Sequence, residues 1–202
     1  MDLTTTRLGE EMDTRRDLIL RVGAAAAAGL LPATSRAEEA ILTEDGLYRQ
    51  PWFIESFLEL ADDLEATHRA GKRFAVIWEL KGCPYCKETH FVNFARSDIA
   101  TYVRTNFDIL QLNIIGSRKV TDFDGEELGE KQLAAKYGVR YTPTIQFFPE
   151  TADGLKTKSP LEREVSRAAG YLRPDDFLAL FRYVRESVYR TQSFRDYLRA
   201  RS

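Results

Sequence analysis

The chain has 202 residues, 44% of them hydrophobic and 30% charged, enough for one well-packed domain and short for two. Its 29 basic and 31 acidic residues leave a formal net charge of −2. No global field therefore draws it to nucleic acid or anionic lipid, and nucleic acid is set aside as a partner.

Residues 1–37 are expected to be a cleavable leader rather than part of the fold. "TRRDLIL" at 14–20 puts paired arginines ahead of the apolar stretch "VGAAAAAGLLPA" at 22–33. As a helix that stretch spans under ~20 Å, too short for a bilayer core of roughly 30 Å. Ser35 and Ala37 supply the small residues of a cleavage site before Glu38. The order resembles a bacterial twin-arginine export signal, which implies a periplasmic mature protein in a compartment that permits disulfides.

A polar segment, 38–50, precedes "WFIESFLELADDLEATHRAGK", which reads as a helix with Pro51 at its start and Gly71 at its stop. Residues 73–80, "RFAVIWEL", are β-forming without alternation, as in a strand buried on both faces. The motif "GCPYCKETH" at 82–90 follows, with a helix expected from Pro84 to about Val92 and another over 97–105. The next strand is 107–115, and the polar run 116–130 reads as a loop or insertion without a core pattern. A short helix ends near Gly138, 144–148 is a strand, and 161–170 is its partner. An amphipathic helix from Pro174 carries Phe177, Leu178, Leu180, Phe181, Val184 and Val188 along one stripe. The tail, 191–202, reads as basic and loose, which leaves 38–190 as the folded domain. Early β–α–β alternation implies parallel strands, and the closing strand pair implies an antiparallel edge.

Both cysteines of the chain, Cys83 and Cys86, lie in that motif. As a staple the pair would be poor, because so short a loop removes little entropy from the unfolded chain. If the strand ends at Leu80 and the helix begins at Pro84, Cys83 occupies the N-cap. Free amides and the positive end of the helix dipole there favour a thiolate. Cys86 lies one helical turn on, within disulfide reach and more shielded. That asymmetry suits a nucleophile and a resolving thiol.

"CPYC" after a buried strand, "YTPT" at 141–144 and "GYLRPDDFL" at 170–178 together resemble the thioredoxin superfamily. The resemblance covers about residues 51–190. It implies an α/β thioredoxin fold, a central mixed sheet flanked by helices, here with an N-terminal helix and an insertion after the second main strand. It also implies a cis peptide at Pro143 packed against the cysteines, and substrate contacts at Thr142, Pro143, Pro84 and Tyr85. The redox-active disulfide Cys83–Cys86 would be the only redox group, with no added cofactor. The insertion "VTDFDGE" and the wide gap between cysteines and proline resemble the periplasmic thioredoxins of sulfur-oxidation (Sox) operons, the SoxW type. That likeness implies a monomer acting on periplasmic protein disulfides and reduced by a membrane thiol conduit of the CcdA/DsbD kind. Compact members of the family carry a buried aspartate where this chain has Ile77, which leaves Glu79, Glu88 or His90, or a water, as candidates for proton transfer.

Two other chemistries stay open on the same residues. A Dsb-type oxidant or isomerase would use the same cysteines. Copper handling would use Cys83, Cys86 and His90, although a closed metal site wants a fourth ligand and His68 is the only other histidine. No metal is therefore assigned. The acids Asp122, Asp124, Glu126 and Glu127 lack the closing glutamate of a calcium loop and read as a solvated turn.

Overall fold

The computed structural model describes residues 39–201; the expected export signal at 1–37 lies outside the described residues. The chain opens with a small antiparallel pair, β1 (Ile41–Leu42) and β2 (Tyr48–Arg49). Helix α1 (Leu60–Arg69), strand β3 (Arg73–Glu79) and helix α2 (Pro84–Glu88) follow, and α2 runs on into a π-helical turn, Thr89–Asn93. Next come α3 (Ser97–Asn106), β4 (Phe107–Asn113), the hairpin β5 (Lys119–Thr121) and β6 (Glu127–Gly129), and α4 (Glu130–Lys136). The chain closes with β7 (Thr144–Phe147), β8 (Ser166–Ala169), α5 (Pro174–Arg185) and α6 (Phe194–Arg199).

The central sheet runs β4-β3-β7-β8. Strands β3 and β4 are parallel, while β7 is antiparallel to both β3 and β8. This is the mixed sheet flanked by helices that the resemblance implies. All seven residues of β3 are buried, and the period-2 pleat divides them between two layers. Ala75 and Ile77 pack with Ile99 and Val103 of α3 and Phe177 and Phe181 of α5. Phe74, Val76 and Trp78 pack with Leu60 and Leu64 of α1 and Leu133 of α4. Edge-to-face rings tie the first layer: Phe181 meets Phe107 and Phe147 at 4.8 and 5.2 Å between centroids. Such pairs add roughly 0.5–1.5 kcal/mol each beyond area burial.

Three sequence expectations fail, each through a tertiary contact. The helix expected from Pro51 begins only at Leu60. Residues 51–59 are instead pinned by backbone bonds from Ile54 N–H to Ile109 O (3.1 Å) and from Thr121 N–H to Leu58 O (2.8 Å). Leu58 takes φ +65°, its N–H capped by the Ser56 hydroxyl, and Phe57 is left 99% exposed. Intersegment hydrogen bonds here outweigh an apolar spacing that looked helical.

The run 116–130 is not a coreless loop. It forms the β5–β6 hairpin, with Val120 and Phe123 buried. Asp122 is fully buried, paired with Lys136 (2.5 Å) and Arg163 (2.7 Å), and accepts the Tyr137 hydroxyl at 2.7 Å. Asp124 pairs with the same two cations at 2.6 and 2.9 Å. Burial would raise Asp124, but the bonds from Lys136 and Arg163 outweigh it and hold its carboxyl well below the ordinary range. Glu126 also meets Lys136 at 2.9 Å but stays exposed, as does Glu127, so Asp122 and Asp124 anchor the insertion while the other two acids face solvent as expected.

The tail is ordered as well. The last long helix stops at Arg185, short of Val188, because Ser187 adopts φ +56°. A 3-10 turn leads to α6, capped by the Ser193 hydroxyl, and its Tyr197 is buried against Tyr183.

Asp122→Ala should destabilise the protein by about 3–5 kcal/mol, because Arg163 and Lys136 lose their buried counter-charge. The check is a lower urea midpoint at unchanged slope. Because Asp124 is held low in the folded state, its contribution is complete above the ordinary aspartate range and is lost as pH falls through the folded value. The wild-type urea midpoint should therefore drop on acidification below about pH 4.

Candidate active site at Cys83 and Cys86

Strand β3 ends at Glu79, and a turn closed by Cys83 N–H to Leu80 O (3.1 Å) delivers the cysteines. Gly82 sits in that turn at φ +77°, a conformation side-chain-bearing residues rarely adopt. Cys83 is the N-cap of α2 and Pro84 its first residue, where the missing N–H leaves no bond unmade. Cys83 and Cys86 form a disulfide with Cα atoms 5.3 Å apart. Cys83 is half-buried and Cys86 is 4% exposed.

The Cys83 sulfur accepts the Cys86 N–H at 3.1 Å and the Thr142 hydroxyl at 3.4 Å, with Thr142 O a further contact at 3.5 Å. On reduction the same two donors face a thiolate and stabilise it. Thr142 is held there by a turn in which the Thr142–Pro143 peptide is cis. Gly170 N–H to Pro143 O (2.8 Å) and the Thr144 hydroxyl to Tyr141 O (2.7 Å) fix that turn on either side.

Two clefts flank Cys83. One, about 570 Å³, is lined by Tyr85, Tyr141, Thr142, Ala169, Gly170 and Tyr171. Tyr85 stacks on Tyr171 at 6.0 Å and is 55% exposed, and Tyr141 is 68% exposed. The other, about 550 Å³, runs between the cysteine loop and the β1–β2 hairpin, with Leu42, Tyr48, Lys81 and Lys87 on its walls. Pro84 and Tyr85 thus form the exposed rim between the cysteines, next to Thr142.

Of the three groups considered for proton transfer, the structure joins two. His90 and Glu79 are buried against each other, with Nε2 3.0 Å from both carboxylate oxygens. Glu88 is exposed and takes no part in that pair. Ile77 is wholly buried among apolar neighbours. Two residues that sequence reasoning missed complete the cluster. Gln50 Nε2 reaches His90 Nδ1 at 3.2 Å, and Gln111 Nε2 bonds Glu79 Oε2. The signal for Gln111 was visible as a polar residue between Leu110 and Leu112 in the mostly apolar strand "FDILQLNII"; Gln50 carried none. With Glu79 and Gln50 on its two ring nitrogens, His90 is not free to join the cysteines on a metal. Among the described residues no three His, Cys, Asp or Glu side chains converge as a metal site. His68 is exposed on α1.

Comparison with known proteins agrees with the fold. A family model described as a thioredoxin-like domain matches residues 60–185. A thioredoxin-fold protein from Helicobacter pylori is similar in structure at 20% identity and a TM-score of 0.51, over 64% of this chain and 84% of its own. A thioredoxin from Thermus thermophilus aligns at 21% identity and a TM-score of 0.45, over 61% and 81%. No curated protein matches in sequence. Identities this low speak to the fold alone, but the family match spans more than half the chain and includes both cysteines. The chain belongs to the thioredoxin-like domain family.

Proposed function

We propose that the protein is an exported thiol–disulfide oxidoreductase that reduces disulfides of partner proteins in the periplasm. The observation that supports this best is the inequality of the two sulfurs. Cys83 is half-buried, N-caps α2 and accepts two hydrogen bonds, while Cys86 is shielded one turn on. The Cys83 thiolate attacks a partner disulfide, one partner sulfur leaves as thiolate, and a mixed disulfide forms. Cys86 then attacks Cys83 Sγ, the second partner sulfur leaves, and Cys83–Cys86 is left oxidised. The backbone at Thr142, held by cis-Pro143, would pair with an extended partner segment by strand addition, beside the tyrosine-lined cleft.

The periplasmic site rests on the leader-like residues 1–37, and a Sox-type partner rests on the likeness of the "VTDFDGE" insertion. Regeneration is assigned to a membrane thiol conduit of the CcdA/DsbD kind, with the protein acting as a monomer. A Dsb-type oxidant or isomerase would use the same sulfurs in the opposite sense, so direction is decided by potential. A value well below the glutathione couple in a redox titration supports the reductant, and one well above it supports the oxidant. Copper handling predicts stoichiometric tight copper in protein purified under reducing conditions, together with no disulfide reductase activity.

With insulin as disulfide substrate, the reduced Cys86→Ala variant should accumulate a covalent adduct at Cys83, and the double variant lacking both cysteines should not. Absence of any adduct, alongside no insulin reduction by wild type, would sink the oxidoreductase reading. Thr142→Val removes one donor to the Cys83 sulfur, worth about 1 kcal/mol or roughly fivefold. Alkylation of Cys83 by iodoacetamide near neutral pH should slow by that factor.

A further inference from the structure

A partner joined to Cys83 in a mixed disulfide has its cysteine Cα within roughly 4.4–6.8 Å of the Cys83 Cα. The partner chain on the two sides of that cysteine therefore lies against the two clefts that flank Cys83. The tyrosine-lined cleft and the Thr142 backbone account for one side. The other cleft, about 550 Å³, has Gly82, Cys83 and Pro84 among its lining residues, and nothing in the exchange chemistry uses it.

Its outer wall is the β1–β2 hairpin, which precedes the residues matched by the family model. Within the hairpin, Thr43 N–H donates to Leu47 O at 2.9 Å and Leu47 N–H to the Thr43 hydroxyl at 3.0 Å. Bonds to β4 hold the wall in place: Asn113 Nδ2 donates to Asp45 at 3.2 Å, and Gln111 Nε2 to Tyr48 O at 2.6 Å. The Tyr48 ring meets Phe91 edge-on at 4.9 Å, which ties the hairpin to the helical segment after Cys86. The stem of Lys81 lies across Gly46, where an added methyl group would sit 2.8 Å from Lys81 Cδ. The cleft thus has a fixed wall that reaches the cysteine turn.

Two chemistries meet in it. Leu42 is 65% exposed and offers apolar surface to the cleft. Lys81 and Lys87 are exposed, and among the described residues neither ammonium makes a hydrogen bond or ion pair; Lys87 Nζ stands 5.9 Å over the Phe91 ring. Glu44 is the one acid in the lining, so two cations face a single carboxylate. No cation lines the tyrosine cleft, and Glu88 lies on that side, where burial and then its charge push the Tyr171 phenol up. The two sides of Cys83 therefore differ in sign of charge.

We infer that the hairpin cleft is a specificity subsite for one side of the partner's cysteine, selecting an extended segment that carries an apolar residue and a carboxylate. This rests on the oxidoreductase reading. The apolar side chain covers Leu42 and Tyr48, and the carboxylate pairs with Lys81 or Lys87. An acid within about three residues of the cysteine can reach them, since three extended residues span about 10 Å. Because the opposite cleft lacks a cation, charge also sets the direction in which the partner chain crosses Cys83.

Symmetric disulfide dimers of short single-cysteine peptides provide the test, because attack on either sulfur is then equivalent. One set carries Leu-Glu, Leu-Lys or Leu-Ala after the cysteine, and a second set carries the same pairs before it. Each rate of reduction by the reduced protein is divided by the rate with dithiothreitol, which removes the peptides' intrinsic reactivity. On one side of the cysteine and not the other, Leu-Glu should be reduced roughly fivefold faster than Leu-Lys at low ionic strength. Raising the salt to about 0.5 M should narrow that gap. In the double variant Lys81→Glu, Lys87→Glu the order should reverse. Any effect of the lysines on the Cys83 thiolate is common to all peptides and cancels in the ratio. A wild-type ratio at or below one, the same ratio on both sides, or an acidic preference that survives the double reversal would overturn the inference. Should the double variant fail to fold, Lys81→Gln and Lys87→Gln singly should lower the ratio, and an unchanged ratio in both would overturn the inference equally. No reduction of any dimer would overturn the oxidoreductase reading instead.

Discussion

Burial of β3 on both faces is the constraint from which the site follows. Six of its seven positions can be filled by packing or by the partly aliphatic stem of Arg73, but Glu79 brings a carboxylate into the same dry layer. A buried carboxylate without partners is not tolerated. It is satisfied by His90 from the helical segment after Cys86 and by Gln111 from the neighbouring strand, with Gln50 holding the far side of the imidazole. One charged residue at the end of a buried strand thus ties together the sheet, the cysteine helix and the N-terminal segment.

The same arrangement explains why the two sulfurs differ. Cys83 leaves the sheet at a glycine turn and meets donors from its own helix and from the Thr142 turn. Cys86, one turn later, is buried. Exposure, and with it reactivity, is set by position along a single helix start rather than by any difference between the residues. Because the segment 47–54 supplies Gln50, the Tyr48 carbonyl and the bond from Ile54 to β4, it is part of the same hydrogen-bonded cluster although it precedes the residues that match the family model.

The central sheet, the cysteine turn and the order of elements were legible because their signals are local. A run of β-formers without alternation reads as a doubly buried strand, and a proline after a cysteine reads as a helix start. What was not legible depends on partners distant in sequence. Residues 51–59 have helical apolar spacing, yet backbone bonds to Ile109 and Thr121 hold them out of a helix. Asp122 looks like a solvated acid until Arg163, forty-one residues on, is brought over it. Gln50 and His90 are forty residues apart and carry no pattern that joins them.

Long-range partners of the same kind hold a carboxylate two positions along the strand from Ile77. On a β-strand, positions 77 and 79 share a face, so moving a carboxylate two residues along shifts it by roughly 7 Å toward the loop without changing layers. A carboxylate buried at the strand's end needs a hydrogen-bond partner to hold it in place, and a lone acid would not bring one. His90 provides it from the helix that already carries Cys86. The amides of Gln50 and Gln111 hold the pair without adding a compensating positive charge. The cluster is therefore a set of hydrogen bonds that joins the sheet, the cysteine helix and the N-terminal segment around one buried carboxylate.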